Sequence, residues 1–199
     1  MNKNEQLKAL HAKWLRECQC KLRKTAIQGV LGDGNANTQI VFIGEAPGAK
    51  EDKEGRPFIG SSGKFLAEML ESIKMKREDI YITNIVKYRP PENRDPSPTE
   101  IEDCAQWLED EIKLIDPTLI VFLGRYSMNH FFPKEKISEA HGVLLSGNHF
   151  GKLRNFLPLY HPAAALYNGS LREVLKKDFK KIPKFLKILE REAICDTPI

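Results

Sequence analysis

The sequence runs to 199 residues, 41% hydrophobic and 29% charged, with a formal net charge of +4 and a pI near 8.8. That size supports one domain over residues 1–199 with a substantial core, and the mild basic excess permits a polyanionic partner without requiring one. No apolar run approaches the roughly 18 residues of a bilayer span. The amphipathic N-terminus MNKNEQLKALHAKWLREC has no signal-peptide core, so no membrane partner and a cytoplasmic, intracellular setting are expected.

In chain order, residues 5–24 carry Leu7, Leu10, Trp14 and Leu15 at helical spacing. TQIVFIG (38–44) reads as a buried strand feeding a glycine-rich loop, GEAPGAKEDKEGRPFIG. SSGKFLAEMLESI opens on serines fit to cap a helix, with Phe65, Leu66, Met69, Leu70 and Ile73 as its apolar stripe. IYITNIVKY (80–88) is a second strand, and SPTEIEDCAQWLEDEIKLI (97–115) begins as a capping box. PTLIVFLG (117–124) is a third strand, followed by RYSMNHFF as a short helix. LPLYH (157–161) is a fourth strand, and LREVLKKDFKKIPKFLKILERE reads as one long basic helix.

Strands alternating with helices imply right-handed βαβ crossovers and a parallel sheet covered on both faces. Ligands in such sheets bind beyond the carboxyl ends of the strands. That rule gathers Gly44 and Glu45, Asn84, Gly124 and His161 along one edge. GEAPG lacks the Gly-Lys-Ser/Thr ending of a phosphate loop and the G-x-G-x-x-G of a dinucleotide fold. Its backbone is still free to turn sharply and present N–H groups to a planar ligand.

On that loop Glu45 either caps a turn or positions a water and offsets positive charge. Phe58, in GRPFIG, either plugs the loop against the core or offers a stacking face to a nucleobase. Asn84, inside the apolar ITNIV, must find hydrogen-bond partners, and its amide suits a base edge. His161 ends an apolar strand and is either a satisfied core histidine or a donor to a developing oxyanion. Lys64, Lys87, Arg89, Arg94 and Arg172 flank these strand ends and suggest a phosphate-binding rim. The four cysteines, Cys18, Cys20, Cys104 and Cys195, do not suggest a disulfide scaffold. Cys18 and Cys20 are spaced too tightly for a C-x-x-C pair, which favours burial or exposed free thiols over a metal site.

Together, GEAPGAKEDKEGRPFIGSSGKFL, YITNIVKYRPPENRDPSPTEIEDC and YHPAAAL…LREVLKKD resemble the uracil-DNA glycosylase superfamily, most closely its family 4, from about Cys20 to Phe179. The resemblance implies an α/β fold, a three-layer α/β/α sandwich around a four-stranded parallel sheet. It implies a monofunctional enzyme, expected as a monomer, that hydrolyses the N-glycosidic bond of uracil in DNA during base-excision repair. Gly44, Glu45 and Ala46 would face the uracil, Phe58 would stack on it, Asn84 would read its edge and His161 would bond its O2. Leu166 would enter the duplex, with Lys64, Lys87, Arg89 and Arg172 on DNA. The alternatives are a catalytically weak DNA- or uracil-binding module, or a glycosylase for another deaminated base such as hypoxanthine.

The chain departs from that pattern in three places. Relatives with an aspartate two positions after the glycine have Ala46 as their counterpart here. Family 4 members hold a [4Fe–4S] cluster on four cysteines, of which Cys20 and Cys104 are kept while Glu17 and Tyr88 occupy the other positions. Cys18 is one residue out of register, and Cys195 would have to complete the set from the C-terminus. No cluster is therefore expected, with apolar packing by Tyr88 in its place. Tyr167 stands where relatives often carry arginine.

Overall fold

The structure, a computed structural model, describes the backbone of residues 1–195 and the side chains of 1–192. In chain order the elements are α1 (Lys3–Glu17), β1 (Asp33–Gly34), β2 (Ile40–Gly44), α2 (Ala49–Glu54) and α3 (Ser61–Ser72). They continue with β3 (Tyr81–Asn84), α4 (Pro98–Ile115), β4 (Leu119–Leu123), α5 (Arg125–Phe131) and α6 (Ile137–Ala140). The chain then forms β5 (Leu145–His149), β6 (Lys152–Leu159), α7 (Pro162–Tyr167), α8 (Gly169–Phe179) and α9 (Ile182–Cys195).

Every residue of β2, β3 and β4 is buried, the pattern of parallel strands covered on both faces. Strand order is β1-β3-β2-β4-β6-β5. The four expected strands, β3, β2, β4 and β6, are parallel, and β1 and β5 add antiparallel edges that the sequence reading did not anticipate. β1 is a two-residue pairing, and β5 alternates half-buried with exposed residues, so neither has the apolar run of an interior strand.

Side chains alternate between two cores. Val41, Ile43, Ile120 and Phe122 pack with Trp14, Leu108 and Ile112 on one face. Ile40, Phe42, Val121 and Leu123 pack with Phe65, Leu66, Leu175 and Phe179 on the other. The three-layer α/β/α sandwich is thus present.

Two helices differ from expectation. The first stops at Glu17 instead of running to residue 24, because Cys18 and Cys20, each 2% exposed, turn inward through extended backbone. The C-terminal segment is two helices, α8 and α9. Pro183 has no N–H for the Phe179 carbonyl, and its ring clashes with that carbonyl in a continuous helix.

Lys87 is the principal correction on this face. It was expected on a phosphate rim but is 1% exposed, because it points beneath the sheet toward Glu111 of α4. Its Nζ donates to Glu111 Oε2 at 2.6 Å, to the Asn84 carbonyl at 3.0 Å and to Thr83 Oγ1. Glu111 also accepts from Tyr81 OH at 3.0 Å and from Thr83 Oγ1 at 2.9 Å, and it lies 3.1 Å from His11 Nε2. Burial alone would raise this carboxyl, but Lys87 and His11 hold it down at about 2. Lys87→Met is expected to destabilise the fold by about 3–5 kcal/mol, since it strands a buried carboxylate. Denaturant unfolding checks this, with Lys87→Met/Glu111→Leu recovering part of the loss.

Candidate active site

β2 and β3 end side by side, with Gly44 in register with Asn84. Beyond them opens a cleft of about 380 Å³ whose lining includes Glu45, Ala46, Phe58, Asn84 and His161. Four side chains singled out from distant segments therefore share one cavity of the size range that holds small ligands. Gly44 lies beneath it rather than on its lining. A Cβ at Gly44 would sit 2.4 Å from Asn84 Oδ1 and 2.5 Å from Phe58 Cζ, so only glycine lets those two side chains meet.

Asn84 is 2% exposed, and its Oδ1 is buried without a hydrogen-bond partner. A buried carbonyl left unpaired is costly, and the residue that carries it lines the cleft. His161 ends the β6 segment and caps α7, its Nδ1 accepting the Ala163 N–H at 3.1 Å. Burial lowers this imidazole to about 4, against the pull of Glu51, so it is neutral near pH 7. With Nδ1 accepting, the ring proton is on Nε2, which makes that nitrogen a donor. The Phe58 ring lies 5.8 Å from the His161 ring at 33°. Phe58 has φ +52°, a left-handed conformation that costs a bulky residue about 1–3 kcal/mol.

Glu45 stands at the mouth of the loop. Burial pushes its carboxyl up to about 7, Asp95 adding repulsion and Arg125 opposing it. A carboxylate that titrates near neutrality suits proton transfer.

Several lining residues carried no sequence signal. Glu51 of α2 faces the cleft and accepts the Ile59 and Gly60 N–H groups at 2.9 and 2.7 Å. Pro90, Asn93, Arg94 and Asp95 form another wall, with Glu92 and Asn93 both left-handed. Nothing in the sequence marks the first, and of the second the sequence singles out only Arg94, as a rim cation.

Of the residues expected to face DNA, Arg94 is on the cleft lining, whereas Lys64, Arg89, Arg172 and Leu166 are not. Lys64 is exposed on α3, and Arg89 is half-buried, its Nε donating to Asn93 at 2.7 Å. Arg94 grips Glu100 through both terminal nitrogens, at 2.9 and 2.6 Å. Arg172 pairs with Glu68 at 2.7 Å and covers the Phe65 ring. At the tip of α7, Leu166 is 44% exposed and Tyr167 92%.

Cys18, Cys20 and Cys104 are buried in one core cluster with Trp14 and Tyr88. Cys20 Sγ donates to the Glu100 carbonyl at 3.9 Å, and the mutual influence of the three thiols raises Cys104 and lowers Cys18 to about 7. Tyr88 stacks on Trp14 at 4.9 Å, and burial pushes its phenol up to about 12. The Cys195 side chain lies outside the described residues. Among the described residues no group of three or more His, Cys, Asp or Glu is arranged to hold a metal ion. A phenol that is neutral near pH 7 fills the place of a fourth thiolate, so the residues present do not fit a cubane cluster.

The protein is a three-layer α/β/α sandwich that gathers an orphan acceptor, a neutral imidazole donor and an aromatic face at the carboxyl edge of its parallel strands. The family model described as "Uracil DNA glycosylase superfamily" matches residues 31–190. The chain is 44% identical over 192 residues to the type-4 uracil-DNA glycosylase of Saccharolobus solfataricus, covering 93% of this chain and 85% of that one. It is 46% identical over 168 residues to the type-4 uracil-DNA glycosylase of Archaeoglobus fulgidus, covering 82% and 84%. It is 38% identical over 192 residues to that of Thermotoga maritima, covering 94% and 98%. The chain belongs to the uracil DNA glycosylase superfamily.

The raised Glu45 pKa has a sign for stability. The native state favours the protonated carboxyl, so the group contributes fully below about pH 4.5 and its contribution is lost as pH rises toward about 7. Glu45→Gln is accordingly expected to raise the melting temperature near pH 8, by roughly 1–3 kcal/mol in stability, and to leave it unchanged near pH 4. Thermal scans at the two pH values check this.

Proposed function

We propose that the chain is a monofunctional uracil-DNA glycosylase, hydrolysing the N-glycosidic bond of uracil in DNA and leaving an abasic site for base-excision repair. The observation that carries this reading is the unpaired Asn84 Oδ1 beside the Phe58 face and the His161 Nε2–H. The names of the relatives point the same way.

The target base must leave the stack to be reached, most cheaply where it is mispaired or single-stranded. Extruded uracil stacks on Phe58 and donates its N3–H to Asn84 Oδ1, while O2 accepts from His161 Nε2–H. Breaking the C1′–N1 bond sends the bonding pair into the uracil ring, and charge builds on O2. The His161 hydrogen bond strengthens as that charge grows, which lowers the barrier. Neutral imidazole acts as a donor and keeps its proton. Ionised Glu45 stabilises the sugar cation and accepts a proton from the water that adds to C1′. Lys64, Arg89 and Arg172 hold backbone phosphates, and Leu166 fills the gap left by the extruded base.

The protein acts as a monomer on DNA in the cytoplasm, without an iron–sulfur cluster. Tyr88 on Trp14 and the three described thiols supply packing where relatives of this type place the cluster. Freshly purified protein is expected to be colourless and free of iron and acid-labile sulfide. Elemental analysis and a visible spectrum check this, and stoichiometric iron would overturn it.

Incubation with a uracil-bearing oligonucleotide is expected to release free uracil without strand cleavage. Asn84→Ala and His161→Leu should each lower kcat/KM by about 10²–10³; full activity in both removes the assignment. Because Glu45 works ionised, kcat/KM should rise with pH to a plateau above about 7, and Glu45→Gln should abolish that rising limb.

A further inference from the structure

Phe58 holds a backbone conformation that its own side chain disfavours, and two residues fix it from opposite sides. Ahead of it, Glu51 gathers the Ile59 and Gly60 N–H groups. Behind it, Arg77, just N-terminal to β3, donates Nη1 to the Phe58 carbonyl at 3.0 Å and Nη2 to the Pro57 carbonyl. Arg77 is itself steered by Asp33 of β1, 3.5 Å from Nη2, which also pairs with Arg56 at 3.0 Å. The Phe58 carbonyl is hemmed in by α3 as well: a Cβ on Gly63 would lie 1.8 Å from its oxygen. A guanidinium presents its donors in a rigid planar fork, so one side chain engages two successive carbonyls and fixes the peptide between them.

We propose that Arg77 is a positioning residue for base recognition: its fork on the Pro57 and Phe58 carbonyls holds Phe58 left-handed and so presents the ring as a preformed stacking face. Arg77 does not line the cleft; it acts through Phe58. The inference rests on the reading that Phe58 stacks on the extruded base. Without the fork the 57–60 segment relaxes toward ordinary backbone, and the ring leaves the plane set by Gly44 and His161.

The test uses the full chain and two probes. Free uracil, as an inhibitor, reports the base pocket, and a duplex with a tetrahydrofuran abasic analogue reports DNA grip with no base in the pocket. Arg77→Met is expected to raise the uracil inhibition constant about tenfold, within the range of one aromatic–base stack, with a matching fall in kcat/KM. Affinity for the abasic duplex is expected to stay at the wild-type level. Phe58→Ala should weaken uracil similarly, and adding Arg77→Met to it should cost nothing further. Should Arg77→Met not fold, Arg77→Lys keeps the charge near Asp33 but reaches one carbonyl, and it should weaken uracil by an intermediate factor.

Wild-type uracil affinity in the Arg77 variants, with Phe58→Ala impaired, overturns the proposal. Equal losses from Arg77→Met in the presence and absence of the Phe58 ring overturn it too. If Phe58→Ala itself leaves uracil binding unchanged, the stacking reading fails first.

Discussion

The site depends on a side chain that is absent. Gly44 and Asn84 are register partners at the ends of adjacent parallel strands, and parallel pairing brings neighbouring strand ends to the same edge. Any residue larger than glycine at position 44 would drive a carbon into both the Asn84 carbonyl oxygen and the Phe58 ring. The sheet thus supplies the alignment, and one missing methyl group lets an amide and an aromatic ring share the space above it. The remaining site elements are arranged around that space.

The same exclusion of water acts on two titratable groups in the cleft with opposite arithmetic and one outcome. Burial disfavours charge, so it lowers His161 to about 4 and raises Glu45 to about 7. Both groups are driven toward neutrality. For the histidine this secures a donor that cannot surrender its role across the physiological range. For the glutamate it places ionisation near the working pH, where a carboxylate is both present and basic. Behind them lies a contrasting device. Lys87 and Glu111 form a buried ion pair, and the lysine also holds the Asn84 backbone carbonyl. Truncating either partner leaves an uncompensated charge directly under Asn84.

Much of the architecture was legible because the interior strands are short apolar runs separated by glycine loops and capped helices. The convergence of Glu45, Asn84 and His161 followed from where parallel strands end, while Phe58 was joined to them by the family resemblance. What escaped the reading was set by contacts between distant segments. Lys87 looks like a rim cation until Glu111, 24 positions away, is known to lie opposite. Arg172, equally basic, does reach the surface. The break between α8 and α9 was marked by Pro183 yet masked by the lysine-rich pattern on either side. The wall built from Asn93 and Asp95 arises from left-handed backbone at Glu92 and Asn93, residues whose side chains advertise nothing of the kind.

Helix α7 joins the interior of the cleft to the outermost point of this edge. His161 caps its first turn through Nδ1, and Leu166 and Tyr167 stand at its far end, about 9 Å away at the rise of an α-helix. One short rod therefore sets both the placement of the capping imidazole and that of the two exposed side chains at its tip.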